Sequence, residues 1–360
     1  MTCTEARSIR EIDEQRWDSV AGDFPAMTHR WLRVVEAGWR FYEPHYLLLE
    51  DKQGPCAAVV ADVSASLTSL GLLDWLYRLS SLIVRPPFSS MCSVVVRPGL
   101  SLESVMPELE PALDRLRRKE KRPLISIGNV AASDLPCWQR AGFQAYPQRS
   151  VSSLDLPATY AGYLDSLQRK DRQRLRRLHK RAAELDVRIE TGALADDTEQ
   201  IFPLLCEVYA KYGIPQKAMP FTPRLLSGME KEMPGSILVI RGYVGNELAG
   251  VALSLLGDSV LLGLMIGLHY ETARPSYLYF LLQDEVIRWG IQHGLRRVYA
   301  GRSNEREKQD QGFHLEDRWL CYRAGARPVN WALSIALPWV GRLSRRTWLG
   351  SPKAKMEQEQ

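Results

Sequence analysis

The sequence predicts an α+β protein built from two tandem copies of one unit, each a mixed sheet flanked by helices. Three observations carry this reading. The same order of strands and helices runs twice along the chain, each run closes on a Gly-Phe pair, and 360 residues suit two domains better than one.

In the first run, 46–50 reads as a strand, 51–55 as a turn with Gly and Pro, and 56–63 as a second strand rich in Ala and Val. The second run repeats this hairpin with 236–241, a turn through Val244, Gly245, Asn246 and Glu247, and then 248–255. A third apolar strand follows each hairpin, at 92–97 and at 260–267, and then a helix with apolar residues on a 3.6 period, at 104–119 and 276–293. Short strands at 123–127 and 297–300 lead to Gly142-Phe143 and Gly312-Phe313. The first run is longer by an apolar insertion at 66–85. Two hairpins and a crossover per unit imply helices on the sheet faces. The expected division is 1–152, 153–328 and an amphipathic segment with a polar tail at 329–360.

Composition narrows the function. With 47 Lys and Arg against 42 Asp and Glu, the net charge of +5 is too small for a histone-like binder, so the location of the excess matters more than its size. The six cysteines, at 3, 56, 92, 137, 206 and 321, form no C-x-x-C pair, which argues against a zinc site and against a disulfide framework. A reducing compartment and no bound metal are expected. Residues 1–10 lack an apolar signal segment, and the longest apolar stretches, 259–268 and 331–340, are about half the roughly 20 residues of a membrane-spanning helix. The expected location is cytoplasmic.

Positive charge is densest between 169 and 181, where Arg169, Lys170, Arg172, Arg174, Arg176, Arg177, Lys180 and Arg181 face a single acid, Asp171. Leu164, Leu167, Leu175, Leu178, Ala182 and Leu185 recur at helical spacing, so the segment reads as an amphipathic helix with its polar side in water. Such a run is an ordinary solvated face or an anion footprint. Like charges kept together repel, and phosphates of tRNA, coenzyme A or anionic lipid would relieve that repulsion.

The run Trp17-Asp18, the segment Met27-Thr28-His29-Arg30-Trp31-Leu32 and Glu36-Ala37-Gly38 resemble the opening of tandem GNAT-fold proteins, among them the Fem peptidoglycan-bridge aminoacyltransferases and the wider FemAB-like acyltransferases. Pro275-Ser276, Leu281-Leu282, His293-Gly294, Gly301 and Lys308 before Gly312-Phe313 extend the likeness over about residues 8–325. The resemblance implies two GNAT-like domains in one chain and transfer of an acyl group onto an amine, with the active cleft in the second unit.

Acyl-CoA users of this fold usually cradle the pyrophosphate in a Q/R-x-x-G-x-G/A loop at a helix N-terminus. The corresponding stretch here, 269–276, has no glycine, and 97–101 offers only Gly99. The Fem enzymes also lack the loop and take their acyl group from aminoacyl-tRNA. The expected donor is therefore aminoacyl-tRNA in preference to acyl-CoA, with no tightly bound cofactor. The acceptor is an amine on a cell-envelope precursor or a small metabolite.

Acyl transfer needs a base for the amine proton and donors facing the developing oxyanion. In a GNAT-like sheet the strand ends at 267 and 301 splay apart, which places His269, Glu271 and Arg274 on one side and Arg302, Ser303 and Lys308 on the other. By resemblance Lys308 matches the lysine that precedes Gly-Phe in the Fem pattern, close to the reacting carbonyl or a phosphate. Glu271 and His269 are the general-base candidates, and Arg302, Ser303, Arg274, Ser276 and Tyr277 the substrate-binding ones. Tyr277 and Tyr279 line the cleft or pack in the core, and Trp31, Trp39 and Trp138 most simply pack the first unit.

The insertion at 66–85 and the stretch 331–348, which mixes tryptophans with Arg342, Arg345 and Arg346, read as segments packed on their own domains or as contacts with the inner face of a membrane. The alternative to an enzyme is a non-catalytic RNA- or membrane-binding protein on a decayed GNAT fold.

Overall fold

The computed structural model describes residues 1–21, 23–63, 79–89, 91, 94–194, 197–326 and 328–333. The strands are β1 (Thr2–Ala6), β2 (Pro44–Asp51), β3 (Gly54–Asp62), β4 (Ser81–Val84), β5 (Val94–Val96), β6 (Leu124–Ala131), β7 (Gln144–Pro147), β8 (Val151–Asp155), β9 (Val187–Gly192), β10 (Ile237–Val244), β11 (Glu247–Leu256), β12 (Val260–Leu268), β13 (Arg297–Gly301), β14 (His314–Glu316) and β15 (Arg318–Ala324). The helices are α1 (Glu14–Ala21), α2 (His29–Gly38), α3 (Leu102–Lys119), α4 (Leu135–Arg140), α5 (Tyr160–Ser166), α6 (Arg169–Glu184), α7 (Thr198–Lys211), α8 (Pro223–Glu232), α9 (Tyr270–Ala273), α10 (Leu278–Gln292) and α11 (Glu305–Gln309).

Two mixed sheets result, in the orders β1-β2-β3-β4-β6-β15-β7, with β5 beside β3, and β14-β8-β13-β12-β11-β10-β9. Each has one parallel pair, β4 with β6 and β12 with β13. The hairpins stand where the turns at Gly54 and Gly245 predict them, both glycines having positive φ. The strands read as continuous apolar runs because both faces are covered. Tyr46, Leu48, Ala58 and Val60 meet α1 and α2 and, through them, α7, α8 and the inner face of the second sheet, whereas Leu47, Leu49, Ala57 and Val59 meet α3 and α4. On the outer face of the second sheet, Leu238, Ile240, Ala252 and Leu261 pack on α5 and α10. The layers therefore run helices, sheet, shared helices, sheet, helices. Gly38 marks the tightest point of the shared layer: a Cβ there would lie 2.5 Å from the Leu225 backbone of α8.

The third strand of the first unit differs from expectation. Ser81–Val84, assigned by pattern to the apolar insertion, is the strand that pairs with β3 and runs parallel to β6, as β12 does with β13. The segment expected to fill that place supplies only β5, a short partner of β3 over Ala57–Val59. A pattern of apolar residues marks burial but not the strand neighbour, and two apolar segments competed for one slot. The start of the insertion, 66–78, lies outside the described residues, as does 334–360.

The Gly-Phe pairs are the same device in both units. Gly142 (φ 83°) and Gly312 (φ 84°) end α4 and the turn after α11 in the left-handed region, and the following Phe143 and Phe313 are buried. Beyond them the units exchange strands. β8, which follows β7, enters the second sheet between β13 and β14, and β15, which follows β14, enters the first sheet between β6 and β7. The two crossing segments touch: Gln148 N–H donates to the Arg318 carbonyl at 2.8 Å and Ser150 Oγ to Asp317 at 3.1 Å. Sheet membership thus departs from the linear division at 152 and 328, because β15 belongs to the first sheet.

Candidate functional site

β12 and β13 pair only from Val260–Arg297 to Leu262–Tyr299. Beyond that point β12 stays with β11 as far as Leu268, while β13 turns toward β8 at Gly301 through an irregular step after Tyr299. The strands diverge beyond this point, leaving a V-shaped notch between them.

One wall of the notch is the turn after β13. Gly301 (φ 73°) and Asn304 (φ 53°) reverse the chain into α11, which carries Lys308 back beneath the strand. Lys308 is only 2% exposed, and its ammonium donates to the Ala300 carbonyl. Burial pushes it down to about 8, against the pull of Glu305 and Glu307 in the other direction and with Arg149 adding to the fall. The turn is braced from below: the N–H groups of Gln311 and Phe313 donate to the Lys308 carbonyl, and Tyr163 Oη donates to the Gln311 carbonyl at 3.1 Å. Ser303 is exposed and Arg302 half-buried, with its guanidinium donating to Asn129 of β6.

The other wall is the connection from β12 to α10. His269 Nδ1 lies 2.9 Å from Thr272 Oγ1 and 3.3 Å from Glu247, so its ring is held against the start of β11. Glu271, Arg274 and Tyr277 are exposed. Ser276 is buried, and its hydroxyl lies 3.1 Å from both the Thr272 and Ala273 carbonyls, spent within the turn rather than presented to a ligand. Tyr277 caps α10 in the left-handed region at φ 54°, a strained conformation for an aromatic residue. Helix α9 takes the place of a glycine-rich loop here. Tyr279 joins the two walls, its buried hydroxyl lying beside Asn304 and Glu307. Among the described residues, no hydrogen bond links His269 or Glu271 to Lys308.

The basic segment is helical but breaks at Leu167–Gln168, so Leu164 belongs to α5 and the cations to α6. Leu175, Leu178 and Ala182 dock the helix. Arg172 pairs with Asp165 at 2.8 Å, Arg181 lies 3.4 Å from Glu184, and Arg174 pairs with Asp310 while stacking 4.8 Å over Phe280. Arg169, Lys170, Arg176, Arg177 and Lys180 are exposed, with no ion pair among the described residues. Asp310 stands two residues after Lys308, so the basic helix is fastened directly to the lysine turn. Pattern reasoning missed this tie and the buried Asp284, which accepts from Tyr160 at 2.8 Å, lies 2.9 Å from His179 and anchors α6 to α10. An aspartate in an apolar helix face was the only signal for the latter.

Among the described residues no group of three or more His, Cys, Asp or Glu is placed to hold a metal ion, and no helix is long and apolar enough to cross a membrane.

A tandem pair of mixed sheets, each with one parallel pair, defines the class: this is the tandem GNAT fold. Residues 169–309 match the acetyltransferase (GNAT) domain family. Solved structures of similar fold include the C-terminal DUF2156 domain of a protein described as a lysylphosphatidylglycerol synthetase from Agrobacterium fabrum, at 13% identity and TM-score 0.59 over 91% of this chain and 95% of that one. FemX is similar at 10% identity and TM-score 0.58, over 89% and 97%. A tandem GNAT protein from the clavulanic acid biosynthesis pathway is similar at 13% identity and TM-score 0.52, over 90% and 99%. The comparison with curated proteins gives no match. At such identities the structural likenesses establish the fold. The domain match makes the chain an acyltransferase, and its tandem GNAT fold is similar to that of the FemAB-like group.

Proposed function

We propose that the protein transfers an acyl or aminoacyl group from an activated donor to an amine, in the notch between β12 and β13. The observation that carries this is a single assembly: Lys308 lies buried where the strands part, and Asp310 of the same turn is bound by Arg174 of the basic helix. A cation at the notch would meet the charge that develops on the carbonyl oxygen. The exposed face of α6 would meet the donor's phosphates a few residues away. Glu271 and His269 stand on the opposite wall as candidates to take the amine proton, and Arg302, Ser303, Arg274 and Tyr277 as candidates to hold the substrates.

The absence of glycine from 269–276 and the density of cations on α6 favour aminoacyl-tRNA over acyl-CoA as donor. The acceptor is an amine of a cell-envelope precursor or a small metabolite. The protein acts in the cytoplasm, where the stretch 331–348 packs on its own domain or contacts the inner face of the membrane.

Mass spectrometry of the purified protein for bound CoA or tRNA, followed by transfer assays with labelled aminoacyl-tRNA and with acetyl-CoA, tests the reading. Transfer from aminoacyl-tRNA whose binding weakens steeply with salt supports it; transfer from acetyl-CoA alone replaces the donor. Binding of tRNA without any transfer, unchanged by Lys308→Ala, would leave a binding protein on a decayed fold.

A further inference from the structure

The first unit holds a counterpart of the notch that is shut, and it bears on the lysine turn of the second. β4 and β6 pair in parallel from Ser81–Leu124 to Val84–Ile127 and no farther. Beyond that point Arg85 keeps to β3, its N–H donating to the Val60 carbonyl at 3.0 Å, while β6 continues along β15 to Ala131. The two segments nevertheless stay joined: a Cβ on Gly128 would lie 3.3 Å from Arg85 Cδ, and Asn129 Nδ2 donates to the Ser89 carbonyl at 2.7 Å. The turn after β6 matches the lysine turn bond for bond. Phe143 N–H donates to the Trp138 carbonyl at 3.0 Å as Phe313 N–H does to that of Lys308 at 3.1 Å, and Gly142 N–H donates to the Gln139 carbonyl as Gly312 N–H does to that of Gln309. Trp138 therefore occupies the place of Lys308, 2% exposed and edge-on to Phe143 at 5.1 Å. Where the second unit buries an ammonium, the first buries an aromatic ring.

The shut segment still presents Asn129 to the second unit. This residue is buried and left-handed at φ 61°, a conformation that asparagine tolerates better than most. Its N–H donates to Gln148 Oε1 at 2.9 Å, its Nδ2 is taken by Ser89, and its Oδ1 accepts from Arg302. Both supports are themselves fixed. Phe88, next to Ser89, is seated in the shared layer with ring centroids 4.6 Å from Trp39, 5.7 Å from Phe221 and 5.8 Å from Trp31, and Gln148 N–H donates to the Arg318 carbonyl at the strand crossing. With Nδ2 committed to a carbonyl, the amide turns its oxygen to the guanidinium. Among the described residues no carboxylate pairs with Arg302, and Asn129 is the one hydrogen-bond partner of its side chain. Arg302 directly follows Gly301, the last residue of β13, so the place where its guanidinium is held fixes how the chain turns toward Lys308.

We propose that Asn129 is a positioning residue for the second unit: the shut notch of the first is a strut that holds Arg302 and, through it, the turn carrying Lys308. The strut stands on its own geometry; that it matters for transfer rests on the acyltransferase reading.

Asn129→Gly tests this, because glycine takes the left-handed backbone without strain and removes only the side chain. Hydrogen exchange on the full chain is the arm that needs no activity. The Lys308 N–H, bonded to the Asn304 carbonyl at 3.1 Å, should exchange at least about tenfold faster in Asn129→Gly and in Arg302→Gln, with Leu253 and Leu261 of the second sheet unchanged. In the transfer assay Asn129→Gly should lower kcat about tenfold with little change in KM for the amine, and Asn129→Asp, which keeps an oxygen for Arg302, should recover most of that loss. Adding Asn129→Gly to Arg302→Gln should cost nothing further. Exchange at the turn that matches the parent protein overturns the proposal. So does a rise spread evenly over both sheets, which would make Asn129 a support of the fold at large. A parent protein that transfers nothing, while exchange at the turn quickens as stated, sinks the acyltransferase reading and leaves the strut standing.

Discussion

The ammonium of Lys308 donates to the carbonyl of Ala300, one residue beyond Tyr299, the last that β13 pairs with β12. The only buried lysine among the described residues is thus bonded to the strand at the point where the sheet opens.

Replacing this lysine separates chemistry from folding. Lys308→Met keeps the length of the side chain and removes a buried charge, so the unfolding free energy at neutral pH should not fall, while transfer should slow by about 100-fold or more. Activity measured beside a chemical denaturation curve checks both. A variant that unfolds more readily and loses activity in proportion would make Lys308 a structural residue.

The same burial gives a pH signature. The folded-state value of Lys308 falls from 10.5 to about 8, so the folded chain releases a proton that the unfolded chain still holds between those limits. The lysine's contribution to stability is full above 10.5 and is lost as pH falls through about 8. Stability should therefore gain an upward component between those pH values that Lys308→Met lacks. If the lysine acts as a cation, kcat should decline as pH rises through about 8. A rate that climbs through the same range would make it a base.

Arg174 and Asp310 tie α6 to the lysine turn, which under the proposed function makes them positioning residues. Their pair is half-exposed and worth about 1 kcal/mol or less, so Arg174→Gln and Asp310→Asn should barely move the melting temperature. Both should lower kcat severalfold with little change in KM for the amine, and the double variant should be no worse than the single ones. Additive losses would show that the two residues act separately.

The strand exchange is testable by truncation. A chain ending at residue 317 lacks β15, which buries Cys321, Tyr322 and Ala324 between β6 and β7. Hydrogen exchange should then lose protection at Ile125 and Ile127 of β6 while Leu253 and Leu261 of the second sheet keep theirs. Uniform protection in both sheets would refute the exchange.

Much of the fold was legible because its signals are local. The hairpins at 46–63 and 236–255, the helices ending near Lys119 and Gln292, and both Gly-Phe turns follow from side-chain periodicity and from glycines that accept positive φ. The order of β4 and β5 was not legible, since both are apolar and only pairing decides between them. At the site, the repeat and the family likeness pointed to the two strand ends. That Ser276 spends its hydroxyl on its own turn, while Asp284 and Asp310 hold the basic helix in place, depends on contacts between segments distant in the chain.

The sequence by itself determined two copies of a mixed α+β unit, a helix crowded with cations and a lysine poised before the second Gly-Phe pair, because each is written within a few turns or strands of chain. Only the tertiary structure decided that β15 leaves its own unit, that Lys308 is buried under Ala300, and that Arg302 reaches Asn129 of the first sheet. Those outcomes depend on which strand fills a gap left in a sheet. That choice is made by long-range pairing and burial, and no local pattern encodes it.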